Sequence, residues 1–65
     1  MNALQGNIAG NMRKYGIKAD EVAGSIGKSK STFYRLIRQG NIKYSDLRIV
    51  SDVLHFSKEQ KAEIL

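Results

Sequence analysis

The sequence predicts an all-α fold, a compact bundle of five short helices with a helix-turn-helix at its centre. Three observations support this fold class. The 65 residues include no proline, runs of β-branched residues are scarce, and apolar residues recur at the three- and four-residue spacings of a helix face. A chain of this length is expected to form a single domain, residues 1–65. Its core must be small, since such a domain buries only about 60% of its unfolded surface.

The first helix is predicted over residues 2–15 and the second over residues 19–26. The first carries an apolar stripe, made of Leu4, Ile8, Met12 and Tyr15. The second has an apolar inner face, made of Val22, Ala23 and Ile26. Each helix is followed by a glycine that can take the left-handed backbone of a helix end, namely Gly16 and Gly27.

The third helix is predicted over residues 30–39, between an N-capping Ser29 and a terminating Gly40. Because only residues 27–29 separate it from the second helix, the two helices must cross sharply, as in a helix-turn-helix. Ala23 must then be small, since the third helix passes close above it. Apolar residues are expected to hold the two helices together, namely Val22, Ile26, Phe33 and Leu36.

The last two helices follow a short connection. The fourth is predicted over residues 43–54, with Asn41 or Ser45 as its cap. Its expected inward residues are Tyr44, Leu47, Val50 and Leu54. The fifth begins at Ser57, which forms a capping-box pattern with Gln60 three positions later.

The net charge of +5 comes from one central stretch of the chain. Residues 26–45 contain no carboxylate, and their basic residues are Lys28, Lys30, Arg35, Arg38 and Lys43. Elsewhere basic and acidic residues balance. Charge focused in this way attracts a polyanion, with nucleic acid favoured over an anionic membrane. A solvated helix face is the simpler interpretation of the same charges.

A helical wheel divides the third helix into two opposed faces. The apolar sector holds Phe33, Leu36 and Ile37, and the opposite side holds Ser31, Arg35 and Arg38. Thr32 and Tyr34 flank these faces, and Lys30 lies at the N-terminal end. A cationic, donor-rich helix face suits the base edges and phosphates of the B-DNA major groove. Alternatively, Tyr34 is a half-buried packing residue and Arg38 a solvated cation at a helix C-terminus.

Other classes of function lack their signatures. The chain has no cysteine and one histidine, so we expect neither disulfides nor a metal site. No apolar run approaches the roughly 20 residues that span a bilayer, and no signal-peptide pattern is present, which predicts a soluble cytoplasmic protein without a membrane partner. Asp52 and His55 have no nucleophile or phosphate loop beside them, so we expect no enzyme, cofactor or small-molecule substrate.

The chain resembles the Cro/repressor-type phage regulators, also called the XRE-like family, over most of its length. Their helix-turn-helix is similar to the segment ADEVAGSIGKSKSTFYRLIRQG, through EVA, Gly27 four residues after Ala23, SKST, FYR and Gly40. Their fourth and fifth helices are similar to GNIKYSDLRIVSDVLHFSKEQKAEIL. Four positions depart from the family. Lys28 stands where a turn residue is usually apolar, and Lys18 where an N-capping threonine or serine is usual. Ala19 replaces a glutamine that touches phosphate in many relatives, and His55 stands where a glycine often follows the fourth helix.

The resemblance implies a sequence-specific, Cro-like transcriptional regulator, such as a small phage-type repressor, in the cytoplasm of a bacterial or phage-infected cell. Its third helix would enter the major groove of a double-stranded DNA operator. The base edges would be contacted by Lys30, Ser31, Tyr34 and Arg35. The flanking phosphates would be contacted by Ser29, Thr32, Arg38, Asn41 and Lys43.

One copy offers few base contacts, so a homodimer on a pseudo-palindromic operator is expected. Ile64 and Leu65 either form the dimer contact or cap the core of the monomer. Two other functions compete with this interpretation. One is an antirepressor, a protein-interaction module whose basic helix binds a related repressor, and the other is non-specific binding of nucleic acid, including RNA.

Overall fold

Five α-helices and short turns form the fold in the computed structural model, which describes residues 2–65. The helices are α1 (Ala3–Tyr15), α2 (Ala19–Ser25), α3 (Lys30–Gln39), α4 (Tyr44–Val53) and α5 (Lys58–Ile64). Every boundary lies within one residue of its predicted position, and residues 2–65 contain no strand. The predicted all-α, five-helix architecture is therefore confirmed. No helix in this range combines the length and apolar character needed to cross a bilayer.

Local side-chain and backbone features determine where most of the helices begin and end. Capping boxes start α1 and α5, formed by Asn2 with Gln5 and by Ser57 with Gln60. The Ser29 hydroxyl caps α3 by accepting a hydrogen bond from the backbone N–H of Thr32 at 3.2 Å. Positive φ angles are found at the predicted glycines, Gly16, Gly27 and Gly40. These features confirm the local basis of the helix predictions.

The start of α4 differs from the prediction in two respects. Neither Asn41 nor Ser45 caps the helix: Lys43 occupies the N-cap position, and its side chain makes no capping hydrogen bond. Tyr44 was expected on the inner face, but its side chain is 59% exposed. Tyr44 is the first helical residue, and a side chain there leans back toward the helix N-terminus. It therefore projects beyond the part of α4 that packs on the core.

The core forms around the apolar face of α3. This helix packs against α1 and α2, while α4 packs against α2 and α5 packs against α1. The buried apolar cluster consists of Ile8, Val22, Ala23, Phe33, Ile37, Val50, Leu54 and Phe56. Ile26 and Ile64 are partly buried against it, whereas Leu36 is half-buried outside it. Ile64 thus packs on the core, and the neighbouring Leu65 remains 41% exposed.

A buried amide cluster, which the sequence did not predict, joins α1 to the last two helices. Asn11 is only 6% exposed. Its Nδ2 donates to the Leu54 carbonyl at 2.8 Å and to Gln60 Oε1 at 3.2 Å. Gln60 Nε2 in turn donates to the side-chain oxygens of Asn7 and Asn11, both at 2.9 Å. The cluster satisfies a carbonyl at the end of α4, where intrahelical donors run out.

His55 keeps the backbone conformation of a glycine. Its φ of 55° is the only positive value at a non-glycine residue within residues 2–65. The imidazole ring lies against the ring of Tyr15, with 4.9 Å between the centroids. Tyr15, predicted on the apolar stripe of α1, is therefore an exposed edge residue, because it lies in the last turn of the helix beside this surface ring.

Replacement of Phe33 by alanine should lower the free energy of unfolding more than any substitution at the surface. Phe33 is 0% exposed, and deletion of a buried aromatic ring costs about 3–5 kcal/mol of unfolding free energy. Tyr44→Ala is the matched control, since this exposed ring should change stability by only about 0.5 kcal/mol or less. Chemical denaturation followed by circular dichroism measures both values. Equal stability of the two variants would contradict the assignment of Phe33 to the core.

Asn11→Ala should lower the unfolding free energy by about 1–3 kcal/mol, because it leaves the Leu54 carbonyl and the Gln60 amide without their buried partner. Gln39→Ala removes an exposed amide from α3 and serves as the control. Its effect should stay within about 0.5 kcal/mol. The same denaturation measurement applies, and the structural role of Asn11 is refuted if the two variants are equally stable.

Candidate nucleic-acid interface

The outward face of α3 carries the residues that the sequence assigned to DNA. Its exposed residues are Lys30, Ser31, Tyr34, Arg35 and Arg38. Behind them, Phe33 and Ile37 are buried. The two faces deduced from the helical wheel are therefore present, since the apolar residues anchor the helix and the polar ones face solvent.

The cations of this face are not neutralised by carboxylates. The only ion pair within residues 2–65 joins Lys61 to Asp52, at 3.8 Å. Lys30, Arg35 and Arg38 are therefore exposed to solvent without a carboxylate partner. An uncompensated group of cations on one surface creates a positive potential that concentrates polyanions.

A basic groove extends from the helix-turn-helix to the start of α4. It has a cavity volume of about 270 Å³ and is lined by Lys28, Thr32, Arg35, Leu36, Asn41, Lys43 and Asp46. Three of the predicted phosphate contacts, Thr32, Asn41 and Lys43, thus border one groove together with Arg35, a predicted base contact. Ser29, Ser31, Lys30, Tyr34 and Arg38 lie outside its lining.

Lys28 and Asp46 belong to the groove although the sequence did not assign them to the site. Lys28 lies in the turn between α2 and α3 and is half-buried. Its position within residues 26–45, which contain no carboxylate, was the signal that could have identified it. Asp46 lies one residue beyond that stretch, in the first turn of α4, where a carboxylate stabilises the helix dipole. It makes no ion pair within residues 2–65.

The end of α3 positions Asn41 and Lys43, which line the basic groove after this helix. Gly40 takes a left-handed conformation, with φ of 70°. The next backbone N–H, that of Asn41, donates to the Leu36 carbonyl at 2.8 Å and closes the helix end. Lys43 follows as the N-cap residue of α4. The loop thus holds Asn41 and Lys43 at the border between α3 and α4.

Ser29 and Thr32 share a hydrogen-bonded cap at the start of α3. The Ser29 hydroxyl accepts from the Thr32 N–H and donates to Thr32 Oγ1 at 3.0 Å. A second hydroxyl, that of Ser31, lies 3.4 Å from Ser29 Oγ. Because a hydroxyl has one hydrogen to donate, Ser29 has committed its own to Thr32. Thr32 retains its hydroxyl hydrogen, so it is the better placed of the two to donate to an anion.

Tyr34 combines the two roles that the sequence left open. Its side chain is 45% exposed, and its ring centroid lies 5.8 Å from that of the buried Phe33. Part of the ring therefore packs on the core, while the rest stands beside the cationic face. An amphipathic ring in this position can contact a base edge without first leaving a buried site.

Asp52 and His55, which lie outside α3, make separate contacts on the surface. Within residues 2–65, no three His, Asp or Glu side chains are grouped as metal ligands. Asp52 pairs with Lys61, and His55 contacts the Tyr15 ring. The spacing of Asp52 and His55 is thus accounted for by two separate surface contacts.

Comparisons with known proteins identify no relative of this chain. No model of a protein family, no curated protein and no solved structure matches it. The function must therefore be inferred from the arrangement of the residues around α3.

Proposed function

We propose that the protein is a sequence-specific, double-stranded DNA-binding transcriptional regulator that inserts α3 into the major groove of an operator. The observation that carries this proposal is the unpaired cationic face of α3, held outward by its buried apolar face. The B-DNA major groove is about 12 Å wide and admits an α-helix. The resemblance to Cro/repressor-type phage regulators supports the same function.

The side chains near the middle of α3 supply base recognition in this proposal. Arg35 is exposed and carries five N–H donors in a planar arrangement. An arginine of this kind can donate two hydrogen bonds to guanine, a contact worth about 1–3 kcal/mol of discrimination. Lys30, Ser31 and Tyr34 are exposed beside it.

The basic groove and the C-terminal end of α3 supply phosphate contacts. Thr32, Asn41 and Lys43 border the groove together with Lys28. Hydrogen bonds to phosphates fix the register of a protein on the duplex but carry no sequence information directly. Arg38 in the last turn of α3 extends the same positive surface.

A pair of protein copies would supply enough base contacts for a specific operator. Helix-turn-helix dimers bind half-sites about 34–36 Å apart, so a pseudo-palindromic site follows. Leu65 is the exposed apolar residue at the end of α5. We therefore place the dimer contact at this end of the chain.

Titration of random and selected duplexes at several salt concentrations tests the function. A specific regulator should prefer its selected operator by at least about a thousandfold. Neutralisation of roughly five phosphates predicts that log K falls with log salt with a slope of about −4 to −5. Fluorescence anisotropy measures both quantities. Absence of duplex binding at low salt would refute the proposal and favour an antirepressor that meets an acidic protein surface, whereas equal binding of all duplexes would indicate a non-specific protein.

Arg35→Ala and Lys43→Ala should have different effects on DNA recognition. Loss of Arg35 should relax the base preference at one operator position. The binding free energy of the preferred duplex should weaken by about 1–3 kcal/mol. Loss of Lys43 should weaken binding to all duplexes equally. It should also reduce the slope of log K against log salt by about one. Binding to a panel of single-base operator variants separates the two patterns. Uniform losses in both variants would disprove the division into base and phosphate contacts.

Asp46→Asn should increase affinity for all duplexes by about two- to fivefold at low salt, because it removes the one carboxylate of the basic groove. The gain should shrink as salt screens the charge. Asp52→Asn is the matched control: it changes the net charge equally on the same helix but lies outside the groove. Anisotropy titrations at two salt concentrations measure the difference. Equal gains in both variants would mean that only the total charge matters.

A further inference from the structure

A second groove, the apolar groove, lies between α1 and α3. It has a cavity volume of about 330 Å³ and is lined by Gln5, Ile8, Ala9, Met12, Arg13, Tyr34 and Ile37. The buried Ile8 and Ile37 belong to the core. This volume is near the lower end of the roughly 300–1,000 Å³ found for small-molecule sites. A groove of this size can hold a small molecule.

The two polar residues of this groove come from opposite ends of its α1 wall. Gln5 and Arg13 are eight residues apart on the helix, which corresponds to about 12 Å at a rise of about 1.5 Å per residue. The lining between them on α1 is apolar, and no carboxylate lines the groove. Arg13 is exposed and makes no ion pair within residues 2–65. Its guanidinium is therefore the only charged group of the lining.

We propose that the apolar groove binds a small aromatic carboxylate. The ring would lie on the half-buried Ala9 and Met12 beside the ring of Tyr34, and the carboxylate would accept hydrogen bonds from the Arg13 guanidinium. Arginine matches a carboxylate geometrically because two parallel N–H donors can face its two oxygens. The positive charge of Arg13 thus favours an anion, and the apolar lining beside the Tyr34 ring favours a hydrophobic, aromatic group.

Tyr34 links this site to the outward face of α3. The same side chain lines the apolar groove and stands among the predicted base contacts. A ligand that orders the Tyr34 ring would change the affinity for DNA, and DNA would change the affinity for the ligand by the same factor. This coupling depends on the proposed function, whereas the ligand site itself does not.

Titration of the DNA-free protein with naphthoate tests the site. Binding is measured from the changes in amide chemical shifts in NMR spectra. Saturable shifts are expected at Ala9, Met12 and Ile37. Arg13→Gln should weaken naphthoate binding by about two- to fivefold, the usual range for an exposed ion pair. It should leave the binding of uncharged naphthalenemethanol unchanged. Lys14→Gln is the matched control, since it removes the adjacent cation of the same helix turn, which does not line the groove, and should leave naphthoate affinity unchanged.

Four outcomes would overturn the ligand site. They are the absence of saturable shifts, shifts that follow the basic groove, equal weakening by the two charge variants, and concentration-dependent shifts of the groove in ligand-free protein. The last outcome would mean that a second copy of the chain occupies the groove. Because no DNA is present, failure here is distinguishable from failure of DNA binding, which the duplex titrations report separately.

Discussion

The burial of one face of α3 is the constraint on which the rest of the molecule depends. Phe33 and Ile37 are enclosed by residues of α1, α2 and α4, so the helix cannot turn about its own axis. A rotation of α3 by one residue, about 100°, would turn Tyr34 and Arg38 toward the buried positions of Phe33 and Ile37. Burial of an unpaired guanidinium is far too costly for that arrangement to compete. The packing that stabilises the domain therefore also decides which side chains meet solvent.

The exposed charges of the domain are arranged at some expense to its stability. Lys28, Arg35 and Lys43 border one groove, and like charges brought together in the compact state repel one another. Asp46 moderates this repulsion and also suits the positive end of the α4 dipole. Residues that violate local rules without a structural reason commonly belong to functional sites. We expect the basic groove to be such a site, as the proposed function requires.

The helices and the two faces of α3 could be predicted from the sequence because local rules determine them. Glycine stops, caps and apolar spacing act within a few residues, as at Gly40. The exposure of Tyr44 could not be predicted in this way, since it depends on where the packed part of α4 begins. The burial of Asn11 was missed for a similar reason: its partners, Leu54 and Gln60, lie more than forty residues away. The two grooves could not be predicted either, because their shape depends on the relative positions of several helices.

The amide cluster has a consequence for the fluctuations of the folded chain. α5 has seven residues and none of them is buried, and an isolated helix of that length is unstable in water. Its attachment depends on the hydrogen bonds of Gln60 and on the partly buried Ile64. We therefore expect α5 to exchange between docked and released states at a small fraction of the free energy of global unfolding. Because α2 packs on α3 and α4 while α5 packs on α1, release of α5 would leave the outward face of α3 in its shape.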